Sequence, residues 1–112
     1  MTGYVGSGKR ISAGRLARIP DLPETLGYTP LPGTLNLALD RAPSWAGGIH
    51  LGGHRAYPVT LTRDGRTAAG HLIRWANDTR STSVEVISEI HLRTELRLHD
   101  RDTVTVTIHP TE

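Results

Sequence analysis

The sequence predicts a small, mostly-β barrel, and three observations carry that prediction. Segments such as "TLNLALD" (34–40), "YPVTLT" (57–62) and "TVTVTIH" (103–109) alternate apolar and polar residues with a period of two. The alternating runs are short and are punctuated by turn residues, with 12 Gly and 7 Pro in 112 residues. No helical periodicity runs beyond two turns. Five or six short strands with one or two short helices in one domain spanning 1–112 suit a barrel better than a layered α/β fold.

Taken in order, Val5 lies in a short extended piece between Tyr4 and Gly6. Residues 7–15, "SGKRISAGR", read as a loop. The following "LARIPDLPETLGYTPLPG" carries four prolines, which no long helix can cross, so Leu22–Leu26 forms one turn at most. In 34–40, Leu35, Leu37 and Leu39 share one face of a half-buried strand. Residues 41–55 read as a wide loop or hairpin. Strand 57–62 turns through "RDGR", where Asp-Gly is a strong hairpin signal, and returns along 67–75. A polar turn spans 77–82. Residues 83–90, "SVEVISEI", read as a strand with apolar residues on both faces. Leu92, Leu96 and Leu98 mark a short helix over 92–98. The last strand, 103–109, is β-branched, with Val104, Val106 and Ile108 inward.

With no Phe, the core must be Leu, Ile, Val and Ala, joined by Trp45, Trp75 and a few Tyr. The lack of Cys excludes disulfides and thiolate metal sites and suits a cytoplasmic protein. No apolar run approaches the roughly 18 residues of a membrane span. The net charge is +2 and the pI near 9.5, with Arg scattered along the chain, a balance that suits an anionic ligand or ordinary solubility. Six His are present, but no His, Asp and Glu set has a zinc-like spacing.

Two stretches bear on chemistry. Residues 3–9, "GYVGSGK", approach the P-loop pattern, but Arg10 stands where a hydroxyl should meet Mg²⁺. A P-loop also needs a strand–loop–helix setting that the chain does not offer. A Gly-rich basic segment can still bind phosphate through converging backbone N–H groups, here from Ser7, Gly8, Lys9, Arg10 and 12–15, or it can be a plain N-terminal turn. In "GYTPLPGTLNLALD" (27–40), Thr34 and Asn36 follow a Pro-Gly turn at strand spacing and share a face. Two neutral oxygens so placed can hold a hard cation such as Mg²⁺, or can be turn and edge residues.

These stretches, with "EVISEIHLRTELRLHDRDTVTVTI", resemble the CTP-dependent riboflavin kinases best known from archaea. The resemblance covers most of the chain in three blocks, and Pro-Gly-Thr-Leu-Asn is the most distinctive run. It implies a six-stranded cradle-loop (RIFT-type) barrel that moves the γ-phosphate of CTP to the 5′-hydroxyl of riboflavin, giving FMN and CDP. By position it implies Thr34 and Asn36 as Mg²⁺ ligands. Gly6, Ser7, Gly8, Lys9, Arg10, Ser12, Ala13, Gly14 and Arg15 match the nucleotide loop, and Ile90, His91, Leu92 and Arg93 a second nucleotide contact. Glu85 matches a flavin-site carboxylate able to orient the alcohol or take its proton, and Asn77 or Thr79 a flavin-site hydroxyl position. The chain departs from the family in a longer, more basic N-terminal loop without its Glu. It also has a shorter, Pro-rich segment before residue 26 and His91 where Lys is common.

The expected partners are therefore CTP/CDP and riboflavin/FMN, with no membrane, no nucleic acid and a monomeric state. Two other functions remain open on the sequence: a flavin- or nucleotide-binding barrel without kinase activity, and a DNA-binding cradle-loop barrel. Flavin binding without turnover would mark the first, and salt-sensitive DNA binding the second.

Overall fold

A computed structural model describes residues 1–6, 12–76, 78 and 82–111, the side chains of 12–14 excepted. In chain order the elements are β1 (Thr2–Gly6), α1 (Ser12–Ala17), α2 (Leu22–Leu26), β2 (Leu35–Leu39), β3 (Ile49–Leu51), β4 (His54–Arg63), β5 (Arg66–Arg74), β6 (Ser83–Ile87), α3 (Leu92–Glu95) and β7 (Thr103–Ile108). All pairings are antiparallel. The order β4-β5-β6-β2-β1-β7 closes on itself through β4–β7, which makes a six-stranded barrel with β3 as an extra strand.

Strand β4 belongs to both parts. Its first half pairs with β3, ending at Ala56↔Ile49, and its second half pairs with β7, beginning at Val59↔Ile108. Pro58 falls between the two registers, where a strand can best lose an N–H. The β4–β5 hairpin turns at Asp64 (φ 49°) and Gly65 (φ 75°); two successive positive φ values form the primed turn that matches strand twist.

The described residues hold two buried apolar clusters. Inside the barrel lie Leu35, Leu37 and Leu39 of β2 with Val84 and Val86 of β6, Val104 and Val106 of β7, and Leu72 of β5. Leu92, Leu96 and Leu98, on and just after α3, belong to this cluster and are buried. The second cluster lies outside the barrel wall. It joins Leu16, Ile19 and Leu22 from the α1–α2 segment to Ile73, Trp75 and Ile87 on the outer face. This arrangement explains why β6 is apolar on both faces: Val84 and Val86 fill the barrel, while Ile87 meets the helical layer.

Several sequence expectations need correction. Residues 12–15, read as part of a loop, belong to helix α1, which ends at Ala17 and carries Leu16 into the outer cluster. The described residues form seven strands and three short helices, more than expected, since β3 and α1 depend on partners distant in sequence. Strand 83–90 stops at Ile87, and Ser88 turns its hydroxyl to the Ala69 carbonyl at 2.8 Å. Helix 92–98 stops at Glu95, and Arg97 follows with φ 53°. Ile108, by contrast, packs against the barrel core as expected and is half-buried there.

Candidate functional site

Thr34, Asn36 and Glu85 meet on the outer face of the barrel. The Pro-Gly bend delivers the chain into β2, where Leu35 and Leu37 are drawn into the barrel, so Asn36 must face outward. Register places Asn36 directly opposite Glu85 on β6 and, on its other side, opposite Gly6 of β1. The Thr34 hydroxyl donates to Glu85 Oε1 at 3.1 Å. The indole N–H of Trp75, just beyond β5, donates to Glu85 Oε2.

Glu85 is 7 % exposed, not the solvated edge carboxylate its strand position suggests. Cα register puts Ile73 of β5 against it, and α1 and α2 lie over the neighbouring outer cluster. A carboxylate so buried needs donors, and Thr34 and Trp75 supply them. Two donors at its two oxygens also fix the plane of the carboxylate.

The far end of the site is held by Arg93. Its Nη2 donates to the Gly6 carbonyl at 2.8 Å and pairs with Asp100 Oδ1 at 2.8 Å. Arg93 therefore ties the end of β1, where the glycine segment departs, to α3. Of its sequence neighbours, Leu92 has its side chain in the barrel core. Ile90 is 37 % exposed. His91 is the N-cap of α3, with Nδ1 accepting from the Thr94 N–H at 3.3 Å and lying 2.8 Å from the Thr94 hydroxyl. That capping role is a sufficient local reason for a His at this position.

Arg15 enters from α1. Its guanidinium carbon lies 5.2 Å from the centroid of the Trp75 ring, a cation–π contact. The structure thus brings Thr34, Asn36, Glu85, Gly6 and Arg93 to one region, with Arg15 joined to it through Trp75. Ser7, Gly8, Lys9, Arg10, Asn77 and Thr79 lie outside the described residues, as do the side chains of Ser12, Ala13 and Gly14.

A divalent cation fits the donor set. The Thr34 hydroxyl spends its proton on Glu85, so its oxygen lone pairs stay available as ligands. Asn36 is half-buried on the same face and adds an amide oxygen. Among the described residues no cluster of three or more His, Asp or Glu could hold a metal, so the cation would rest mainly on neutral oxygens and keep most of its charge for an anion.

The loop leading into this site is pinned separately. The Tyr28 hydroxyl and His71 Nδ1 share a hydrogen bond at 2.7 Å, and the Leu31 N–H reaches the Ser88 carbonyl at 2.9 Å. Burial, then the charge of Glu89, pushes the Tyr28 phenol up to about 12, so it stays protonated. Burial also lowers the His71 imidazole below its ordinary range. Sequence reading missed Tyr28, His71 and the Trp75–Glu85 bond. The residue types were visible, but only the tertiary fold makes them neighbours: the β5–β6 register sets Trp75 near Glu85, and the segment before β2 brings Tyr28 to His71 on β5.

Among the described residues no helix is long and apolar enough to cross a membrane. No family model matches the chain, and no curated protein matches it.

Proposed function

We propose that this protein is a Mg²⁺-dependent phosphotransferase with an alcohol acceptor, specifically a CTP-dependent riboflavin kinase making FMN and CDP. The observation that supports it is the 3.1 Å hydrogen bond from Thr34 to Glu85, two residues 51 positions apart that the sequence reading had assigned to the metal and to the acceptor. Phosphoryl transfer asks for alignment and charge neutralisation more than for covalent chemistry. Bound Mg²⁺ would neutralise the phosphate oxygens and orient them in line with the alcohol.

The chain's own residues have separate tasks in this reading. Thr34 and Asn36 hold the cation. Glu85, its plane fixed by Thr34 and Trp75, orients the acceptor hydroxyl and takes its proton as the new oxygen–phosphorus bond forms and the bond to the β-phosphate oxygen breaks. Arg93 keeps the end of β1 in place beside the metal pair.

Incubating the purified protein with riboflavin, Mg²⁺ and either CTP or ATP, and separating the products, tests this directly. FMN formation with CTP supports the proposal. Absence of FMN with either nucleotide overturns it. A second reading, a flavin- or nucleotide-binding barrel without turnover, draws on the fact that both Glu85 oxygens are already hydrogen-bonded. Quenching of riboflavin fluorescence with no FMN produced would select it.

A further inference from the structure

We infer that Trp75 is a positioning residue that joins the two halves of the site, its indole N–H holding Glu85 and its ring face holding Arg15. The functional side of this inference rests on the phosphotransferase reading, in which Glu85 meets the alcohol and Arg15 belongs to the nucleotide loop.

Trp75 is 1 % exposed, and its surroundings leave the ring little freedom. The His54 ring packs edge-on against it, with centroids 5.0 Å apart and planes at 78°. His54 is itself held, because its Nδ1 accepts the Ala76 N–H at 2.9 Å. The indole N–H is directed to Glu85 Oε2, and the exposed Arg15 lays its guanidinium over the ring at 5.2 Å. A buried apolar position would be filled as well by Phe or Leu. Trp adds one donor, and here that donor meets a buried carboxylate.

The consequence is coupling. Arg15 can rest on the ring or turn toward an anion, and its placement changes the charge over an indole whose N–H is bonded to Glu85. Binding at one end must then alter affinity at the other by the same factor in both directions. Thr34 completes the relay, since it shares the Glu85 carboxylate with Trp75.

Two measurements test this, one of them independent of any substrate. In a ¹⁵N–¹H spectrum the two indole signals are assigned with Trp45→Phe and Trp75→Phe. Glu85→Gln and Arg15→Ala should each move the Trp75 signal and leave that of Trp45 in place. An unmoved Trp75 signal in both variants overturns the relay, and it does so even if Trp75→Phe fails to fold, because Trp45→Phe alone assigns both peaks. The second measurement is riboflavin affinity, read from quenching of flavin fluorescence. Mg²⁺ with CDP should tighten it about fivefold in the wild type and leave it unchanged in Arg15→Ala. Equal tightening in both proteins overturns the coupling. A wild type that binds neither riboflavin nor CDP, yet whose Trp75 signal answers both substitutions, retires the phosphotransferase reading and leaves the Arg15–Trp75–Glu85 connection standing.

Discussion

Asn36 of β2 lies directly opposite Glu85 of β6, and Thr34, two residues earlier, donates to the Glu85 carboxylate at 3.1 Å. Removing either polar side chain should therefore disable the site without unfolding the barrel. Asn36 is only half-buried, and its backbone pairing does not depend on its amide. Asn36→Ala is expected to lower FMN formation by at least about a hundredfold, the scale seen when a preorganised polar group is lost, with Tm changed by only a few degrees. Thr34→Val should act similarly, since it also deprives Glu85 of one donor. Activity assays paired with thermal melts check both, and unchanged turnover in Asn36→Ala would remove it from the metal site.

Gly70 is a stability determinant. A Cβ there would lie 2.5 Å from the Ile87 carbonyl oxygen, closer than backbone can yield. Gly70→Ala should cost about 2 kcal/mol through forced strand separation, or roughly 10 °C in Tm. Gly6→Ala is the control, because a Cβ at Gly6 meets nothing nearer than 3.9 Å among the described residues. Similar melting temperatures for the two variants would contradict the close approach of β5 and β6.

Acid should loosen the Tyr28 loop. The His71 imidazole is held below its ordinary value of about 6.5 by burial, so the unfolded chain binds this proton more readily than the folded one. Stability from this group is fully present above that ordinary value and is lost as pH falls toward the lowered one. Protonation also leaves Nδ1 able only to donate toward the Tyr28 hydroxyl. Melts from pH 7.5 to 5 should show a decline that is shallower in His71→Gln. An identical slope in the variant would show that other groups govern acid stability.

Arg93 offers a softer test. Arg93→Ala removes a hydrogen bond to the Gly6 carbonyl and a part-exposed ion pair with Asp100. Solvent screening makes the ion pair worth little, so the loss should be about 1 kcal/mol, mostly from the carbonyl contact. The larger effect should be kinetic, a raised KM for nucleotide with riboflavin KM nearly unchanged. Equal rises for both substrates would place Arg93 outside the nucleotide end.

By itself the sequence determined the local structure wherever the signal was local. The alternation of Leu35, Leu37 and Leu39, the β-branched run of β7 and the Asp64–Gly65 turn each announce themselves within a few residues. Proline spacing correctly limited α2 to a single short piece. Thr34 and Asn36 could be placed on one face because strand geometry is periodic. Only the tertiary structure decided what lay across from them. Helix α1, the burial of Glu85 and its bonds to Trp75 and Thr34 all depend on how β2, β5 and β6 align and on the layer laid over their outer face. Strand periodicity assigns each residue to a side, but it says nothing of which strand will be its neighbour or whether that side will be covered. Those are settled by non-local pairing and by the need to bury both faces of β6 at once.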